Sequence, residues 1–186
     1  MNAQKLIKKA AYEVIVKKPI EDVTLKEILA AAEVSKQTFY RYYKDKYELA
    51  NEIYAQLTQE GIIEPEKIQT EDDWRDMYLR QFATFREHLD FVRHLYSSRE
   101  TGCTVDFEIE STIRFDKAIL ARKGVDLKNP RITFAIEAKD VGGTYAMRDW
   151  ILGGMQVEDA EMVERFRLII PQVLVPYFSI ASSKEY

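Results

Sequence analysis

Apolar residues recur along most of this chain at intervals of three and four, the period of a helix that buries one face. Leu6/Ile7, Ala10/Ala11 and Val14/Ile15 mark a first helix. The Lys17-Lys18-Pro19 run ends it, because proline disfavours helical geometry in the residue before it. Thr24 is placed as the N-cap of a short second helix, with Glu27 completing a capping box and Leu25, Ile28 and Leu29 as the apolar stripe. Ser35 caps a third segment over 36–43. Asp45, with Glu48 as its box partner, caps a fourth helix whose stripe of Leu49, Ile53 and Leu57 runs to Gly61. Residues 61–70, with Pro65 among them, read as a linker. Longer helices are predicted over 71–88, 90–99, 104–122 and 131–152, the last starting at Asn129-Pro130 and stopping at Gly153-Gly154. A final helix is expected from about 158 to 180, kinked near Pro171 and Pro176. Residues 104–110 also alternate like a strand, but no partner strand is evident, so helix is preferred. The predicted fold class is all-α, with a three-helix head over 1–45 and a helical body over 46–186, joined by helix 46–60.

Composition agrees with that picture. Of 186 residues 46% are apolar and 31% charged, the balance of a soluble globular chain, and seven glycines with five prolines favour helices over a turn-rich β fold. No apolar run is long enough to span a bilayer, and the lysine-interrupted N-terminus lacks the pattern of a signal peptide, so no membrane partner is expected. Cys103 is the only cysteine, which excludes an internal disulfide and fits a reducing cytoplasm. The net charge of −4 argues against a nucleic-acid binder until it is divided. Ten Lys and Arg against seven Asp and Glu leave residues 1–50 at +3, whereas 17 against 24 leave the remainder at −7. A basic head on an acidic body suggests a head that meets an anion.

The chemistry concentrates in residues 24–43. Two short capped helices separated by Ala32-Glu33-Val34 have the spacing of a helix-turn-helix, whose second helix enters the major groove of DNA. That helix opens with Ser35-Lys36-Gln37-Thr38, polar residues where base edges would be reached: lysine suits guanine acceptors and glutamine can bond adenine at two atoms. Phe39 and Tyr43, four apart, are expected on the buried face, and Tyr40 outside. Lys46 stands in the first turn of a helix, where the macrodipole disfavours a cation, and a phosphate partner would remove that oddity.

The segment TLKEILAAAEVSKQTFYRYYKDKYEL resembles the DNA-binding signature of the TetR/AcrR transcription regulators. KKPIEDVTLKEI and KQTFYRYYKDKYEL are also similar to the subgroup of dihydroxyacetone kinase operon regulators, with which the Asp149-Trp150-Ile151-Leu152-Gly153-Gly154 run is compatible. The resemblance implies that Thr24 and Thr38 contact phosphate, that Lys36, Gln37 and Tyr40 face bases or the groove edge, and that Tyr42 and Lys46 clamp the backbone. Ser35, Lys26 and Arg41 complete the set. One departure stands out. The family's turn usually carries glycine because it needs a positive φ, and here Glu33 takes that place.

The resemblance further implies a homodimer built through the last two long helices, on Ile132, Ile136, Val141, Met147 and Ile151 of one and Met162, Phe166, Ile169 and Ile170 of the other; an intramolecular core is the alternative for the same residues. It also implies an unknown small-molecule or protein effector. For a ligand the aromatic residues Trp74, Tyr78, Phe82, Phe85, Tyr96, Phe107 and Phe115 are the candidates, favouring a flat or apolar molecule, although such stripes also make core. The expected function is a repressor on a double-stranded operator, relieved by the effector. The alternative is a regulator whose body docks a protein partner while the head binds DNA weakly. No catalytic, cofactor or metal role is expected: no G-x-S-x-G, G-x-G-x-x-G or P-loop occurs, and His88 and His94 are six apart, off the i, i+4 spacing of a helical metal pair.

Overall fold

A computed structural model of the chain describes residues 2–59, 67, 68 and 70–177. The described residues form nine α-helices and no strands: α1 (Ala3–Ile15), α2 (Leu25–Ala32), α3 (Lys36–Tyr40), α4 (Lys46–Gln59), α5 (Glu71–Glu87), α6 (Leu89–Tyr96), α7 (Thr104–Arg122), α8 (Pro130–Leu152) and α9 (Asp159–Leu168). The all-α expectation holds, and 104–110 is helical. The segment 61–66 of the expected linker and the stretch beyond 177 lie outside the described residues.

Helix boundaries follow the caps. The Thr24 hydroxyl accepts from the Glu27 amide at 3.3 Å while the Glu27 carboxylate takes the Thr24 amide at 2.8 Å. Asp45 accepts from the Glu48 amide at 2.8 Å, but Glu48 returns to the amide of Lys44, one residue earlier than a capping box requires. Two caps went unread in the sequence: Asn2 on α1, and a complete Thr70–Asp73 box on α5. A single 3-10 turn over Ile20–Asp22, also unread, follows Pro19.

The last helix is shorter than expected. It ends at Leu168, and Leu174 with a 3-10 turn over Val175–Tyr177 folds back beneath the ends of α7 and α8. Pro171 explains this: it has no amide proton for the Arg167 carbonyl and disfavours helical geometry at Ile170. The third segment is likewise trimmed to Lys36–Tyr40.

One hydrophobic core runs unbroken from head to body, from Ile7, Ile28 and Phe39 through Tyr54 and Phe85 to Trp150 and Phe166. Polar joints pin α6 beneath the head. His94 Nδ1 donates to the Ile15 carbonyl at the end of α1 (2.7 Å), and Tyr12 Oη and His88 Nδ1 are 2.8 Å apart. Glu21 accepts from Ser98 Oγ (3.0 Å) and from the Arg99 amide (2.9 Å). On its other side α6 meets α8, where Arg148 Nε donates to the Tyr96 carbonyl at 2.9 Å. Helix α6 thus bridges α8 and the end of α1.

Candidate functional site

The α2–α3 pair builds the most specific surface. Glu33 terminates α2 in the left-handed region, at φ 53° and ψ 41°, and its amide and that of Val34 close back on Ala30 and Leu29. The conformation expected from the missing glycine is the one adopted, at a cost of roughly 1 kcal/mol for a residue with a Cβ. Ser35 Oγ then accepts from the Thr38 amide at 3.1 Å and starts α3. Phe39 and Tyr43 are buried against α1 and α4, as their spacing requires, which turns the opposite face outward. Lys36, Gln37, Tyr40 and Arg41 occupy that outer face, with Tyr40 51% exposed. The Lys36 ammonium lies 5.8 Å from the Tyr40 ring centre and the Arg41 guanidinium 5.8 Å from that of Tyr42, so two cations are steadied over aromatic faces without being neutralised.

The flanking residues divide. Lys26, Ser35 and Tyr42 are exposed beside this face. Ser35 Oγ and Thr38 Oγ1 are 3.0 Å apart and bonded to each other. The Thr24 hydroxyl donates to Glu27, whose carboxyl is held down at about 2 by the Lys18 ammonium and the Thr24 amide and hydroxyl. Thr24 therefore offers DNA a hydroxyl already engaged.

Lys46 takes a different role from the phosphate clamp expected of it. Its ammonium donates to the carbonyls of Ile20 (2.7 Å), Glu21 (3.0 Å) and Val23 (2.8 Å), using all three protons. The cation is odd for its own helix because it serves the carbonyls of the turn between α1 and α2. Lys46→Ala should therefore destabilise the fold, by about 1.5–3 kcal/mol in chemical denaturation as charged hydrogen bonds are lost. A stability within 0.5 kcal/mol of the parent (roughly the range of a featureless surface substitution) would return Lys46 to the surface.

In the body, the aromatic candidates separate. Phe82, Phe85 and Tyr96 are fully buried core: Phe82 packs on Trp150 with ring centres 4.7 Å apart, and Tyr96 Oη meets Tyr54 Oη at 2.8 Å. Phe107 faces a groove between α4 and α7. Trp74, Tyr78 and Phe115 line a cavity of about 120 Å³ between α5, α7 and α8. Part of its wall is charged, which the aromatic stripe did not foretell. Asp116, Lys139, Asp140, Glu108 and Gln81 all reach it. Lys139 Nζ is 2.8 Å from Asp116 and 2.5 Å from Asp140, and Gln81 donates to Glu108 at 3.3 Å. Burial pushes the Glu108 carboxyl up. Asp140 is pushed up to about 7 by burial and by the neighbouring Asp116 charge, against the pull of Lys139. Burial works against the Lys139 ammonium, but Asp116, Tyr78 and Asp140 outweigh it and hold it well above the usual lysine range.

The expected dimer residues also need correcting. Ile132, Ile136, Met147, Ile151, Met162 and Phe166 are at most 5% exposed within one chain and form its own core. Only Val141 and Ile169 of the named set are exposed, with Ile170 partly so. The outward apolar face of α8 is instead Phe134 (73% exposed), Val141 and Tyr145 (50%); Leu168 (84%), Ile169 and Val173 are separately exposed at and beyond the end of α9. Gly142 lies beside this face with open space where a Cβ would stand, while at its buried neighbour Gly143 a Cβ would come within 3.3 Å of Ile169 Cδ1.

A capped two-helix unit with its polar face outward, set on a helical body, defines a helix-turn-helix DNA-binding regulator. Residues 7–53 match the family model described as bacterial regulatory proteins, tetR family. Among solved structures, "Dihydroxyacetone kinase operon activator DhaS" is similar over 94% of this chain and 96% of its own, with 17% identity and a TM-score of 0.58, a likeness of fold. NalD of Pseudomonas aeruginosa, named as the secondary repressor of the MexAB-OprM multidrug efflux pump, matches over 91% of this chain and 98% of its own with 19% identity and a TM-score of 0.47. No curated protein matches the chain. The described residues contain no helix long and apolar enough to cross a membrane and no cluster of metal-ligating side chains.

Proposed function

We propose that this chain is a sequence-specific transcription repressor that binds a two-fold operator as a homodimer and is released when an effector occupies the body cavity. The observation that carries the reading is the outer face of α3, where Lys36, Gln37, Tyr40 and Arg41 project from a helix anchored by Phe39. Lys36 and Gln37 are the base readers; Lys26, Ser35, Thr38, Arg41 and Tyr42 hold the phosphates, and Lys46 supports the turn behind them. Two such faces related by a two-fold axis need half-sites about one turn apart, ~34 Å or slightly more. The exposed face of α8 supplies the contact: apolar at Phe134, Val141 and Tyr145, and opened by Gly142 to close helix approach. The polar joints of α6 with α1 and α8 offer the route by which the body resets the heads.

Gln37→Ala should relax preference at one base position by roughly 1–3 kcal/mol and leave the salt dependence of binding unchanged. Lys26→Ala should weaken all sequences alike and lower the salt slope by about one unit. Competition binding against single-base operator variants separates the two, and equal, sequence-independent losses would overturn the division into readers and clamps. Transcription from an operator-linked reporter, with and without the chain, fixes the sign of regulation.

A further inference from the structure

The body cavity is not built for a neutral apolar guest. Two carboxyl groups, Asp116 from α7 and Asp140 from α8, share one cation, Lys139, and a third, Glu108 of α7, lines the same cavity and accepts from Gln81. The Asp140 side chain is 3% exposed. Its Oδ1 is taken by Lys139, but its Oδ2 meets no hydrogen-bond partner among the described residues. Such an atom is costly to leave unmet, more so in a wall with excess negative charge. An anion would add to that excess, and an apolar molecule would leave Oδ2 unpaired. A water meets the hydrogen bond but not the charge.

We propose that the cavity takes a small organic ammonium, a protonated amine on a ring-sized apolar body, with the cation on Asp140. This rests on the reading of the body as the effector-binding part of the protein. The size follows from the volume: a cavity on the order of 150 Å³ takes one benzene ring, and this one is about 120 Å³. A second space of about 30 Å³ shares the Trp74, Tyr78, Lys139 and Asp140 walls, which leaves room for a head group beyond the ring. Trp74, Met77, Phe115 and Met147 provide the apolar sides, and the faces of Trp74 and Tyr78 attract a cation in their own right.

The test is calorimetry on the full chain without DNA at pH 8, with benzylamine and its neutral counterpart benzyl alcohol as probes. Benzylamine should bind at least about tenfold more tightly than the alcohol, the ratio set by one charge-assisted hydrogen bond. Asp140→Asn should remove that preference. Equal binding of both probes, or binding of the alcohol alone, leaves a ligand cavity but overturns its assignment to a cation. Benzylamine binding that Asp140→Asn does not weaken places the amine elsewhere and also overturns it. If neither probe binds, the proposal falls together with the effector role of this cavity. Failure to bind DNA, measured separately, would instead overturn the regulator reading and leave the amine site standing.

Discussion

Asp140→Asn should make the ligand-free protein more stable at pH 8 and leave it unchanged near pH 4. The carboxyl is raised from 3.8 to about 7 in the folded chain, first by burial and then by Asp116. A group raised on folding contributes stability that is present below its unfolded value and lost as pH climbs through its folded one. The parent should therefore weaken between about pH 4 and 7, by on the order of 3–4 kcal/mol at most, since each tenfold change in proton affinity is about 1.4 kcal/mol. Asparagine has no charge to bury and keeps an oxygen for Lys139. The other groups facing the site do not imitate this difference. Lys139 is raised above its ordinary value, so its contribution is complete throughout this window, and Tyr78 is raised away from it. Glu108 is displaced in the same direction as Asp140, and Asp116 faces the same ammonium; both remain in the variant. Urea denaturation of parent and variant at the two pH values checks the prediction. A variant less stable than the parent at pH 8 would mean that Asp140 serves the fold rather than a ligand, since a residue kept at a cost to stability is the mark of a functional site.

The double substitution Phe134→Glu with Tyr145→Glu should leave a folded monomer. Both rings are exposed in the single chain, so their removal opens no cavity. In an isologous interface each appears twice. Burying four such rings at about 1.5–3 kcal/mol each gives on the order of 6 kcal/mol or more, at least about four decades in the dimer constant. Sedimentation velocity should show the parent as a dimer and the variant as a monomer of unchanged helicity. Operator affinity should fall with it, because two half-sites are no longer held by one particle. A variant that remains dimeric would place the interface elsewhere.

What the sequence disclosed and what it withheld divide along contact range. Caps are local, so Thr24, Ser35 and Asp45 could be placed from residue types and spacing, whereas the left-handed Glu33 followed from the resemblance to a family whose turn carries glycine. Phe39 and Tyr43 inside and Tyr40 outside follow from helical period alone. Lys46 could not be placed, because its acceptors lie 23–26 residues earlier, in a turn whose geometry no pattern announced. The charged cavity was hidden for the same reason: Asp116 and Lys139 belong to different helices. One signal was nevertheless available. Asp116 falls on the stripe of Ile113 and Leu120, and Asp140 on that of Ile136 and Met147, so each interrupts an apolar face with a charge. Most of the residues expected at a dimer face lie in the chain's own core because α8 is apolar on two sides, and periodicity does not say which one its own chain covers.

Selection from a pool of randomised duplexes by the purified full chain tests most directly whether α3 reads DNA. One motif with two-fold symmetry and half-sites about one turn apart should be enriched. The selected duplex should bind at least about 10³-fold more tightly than random sequence, and the preference should narrow at one base position in each half when Gln37 is replaced by alanine. A pool that emerges without a shared motif, or binding equally strong to every duplex and to the Lys36→Ala, Gln37→Ala chain, would contradict a reading role for α3.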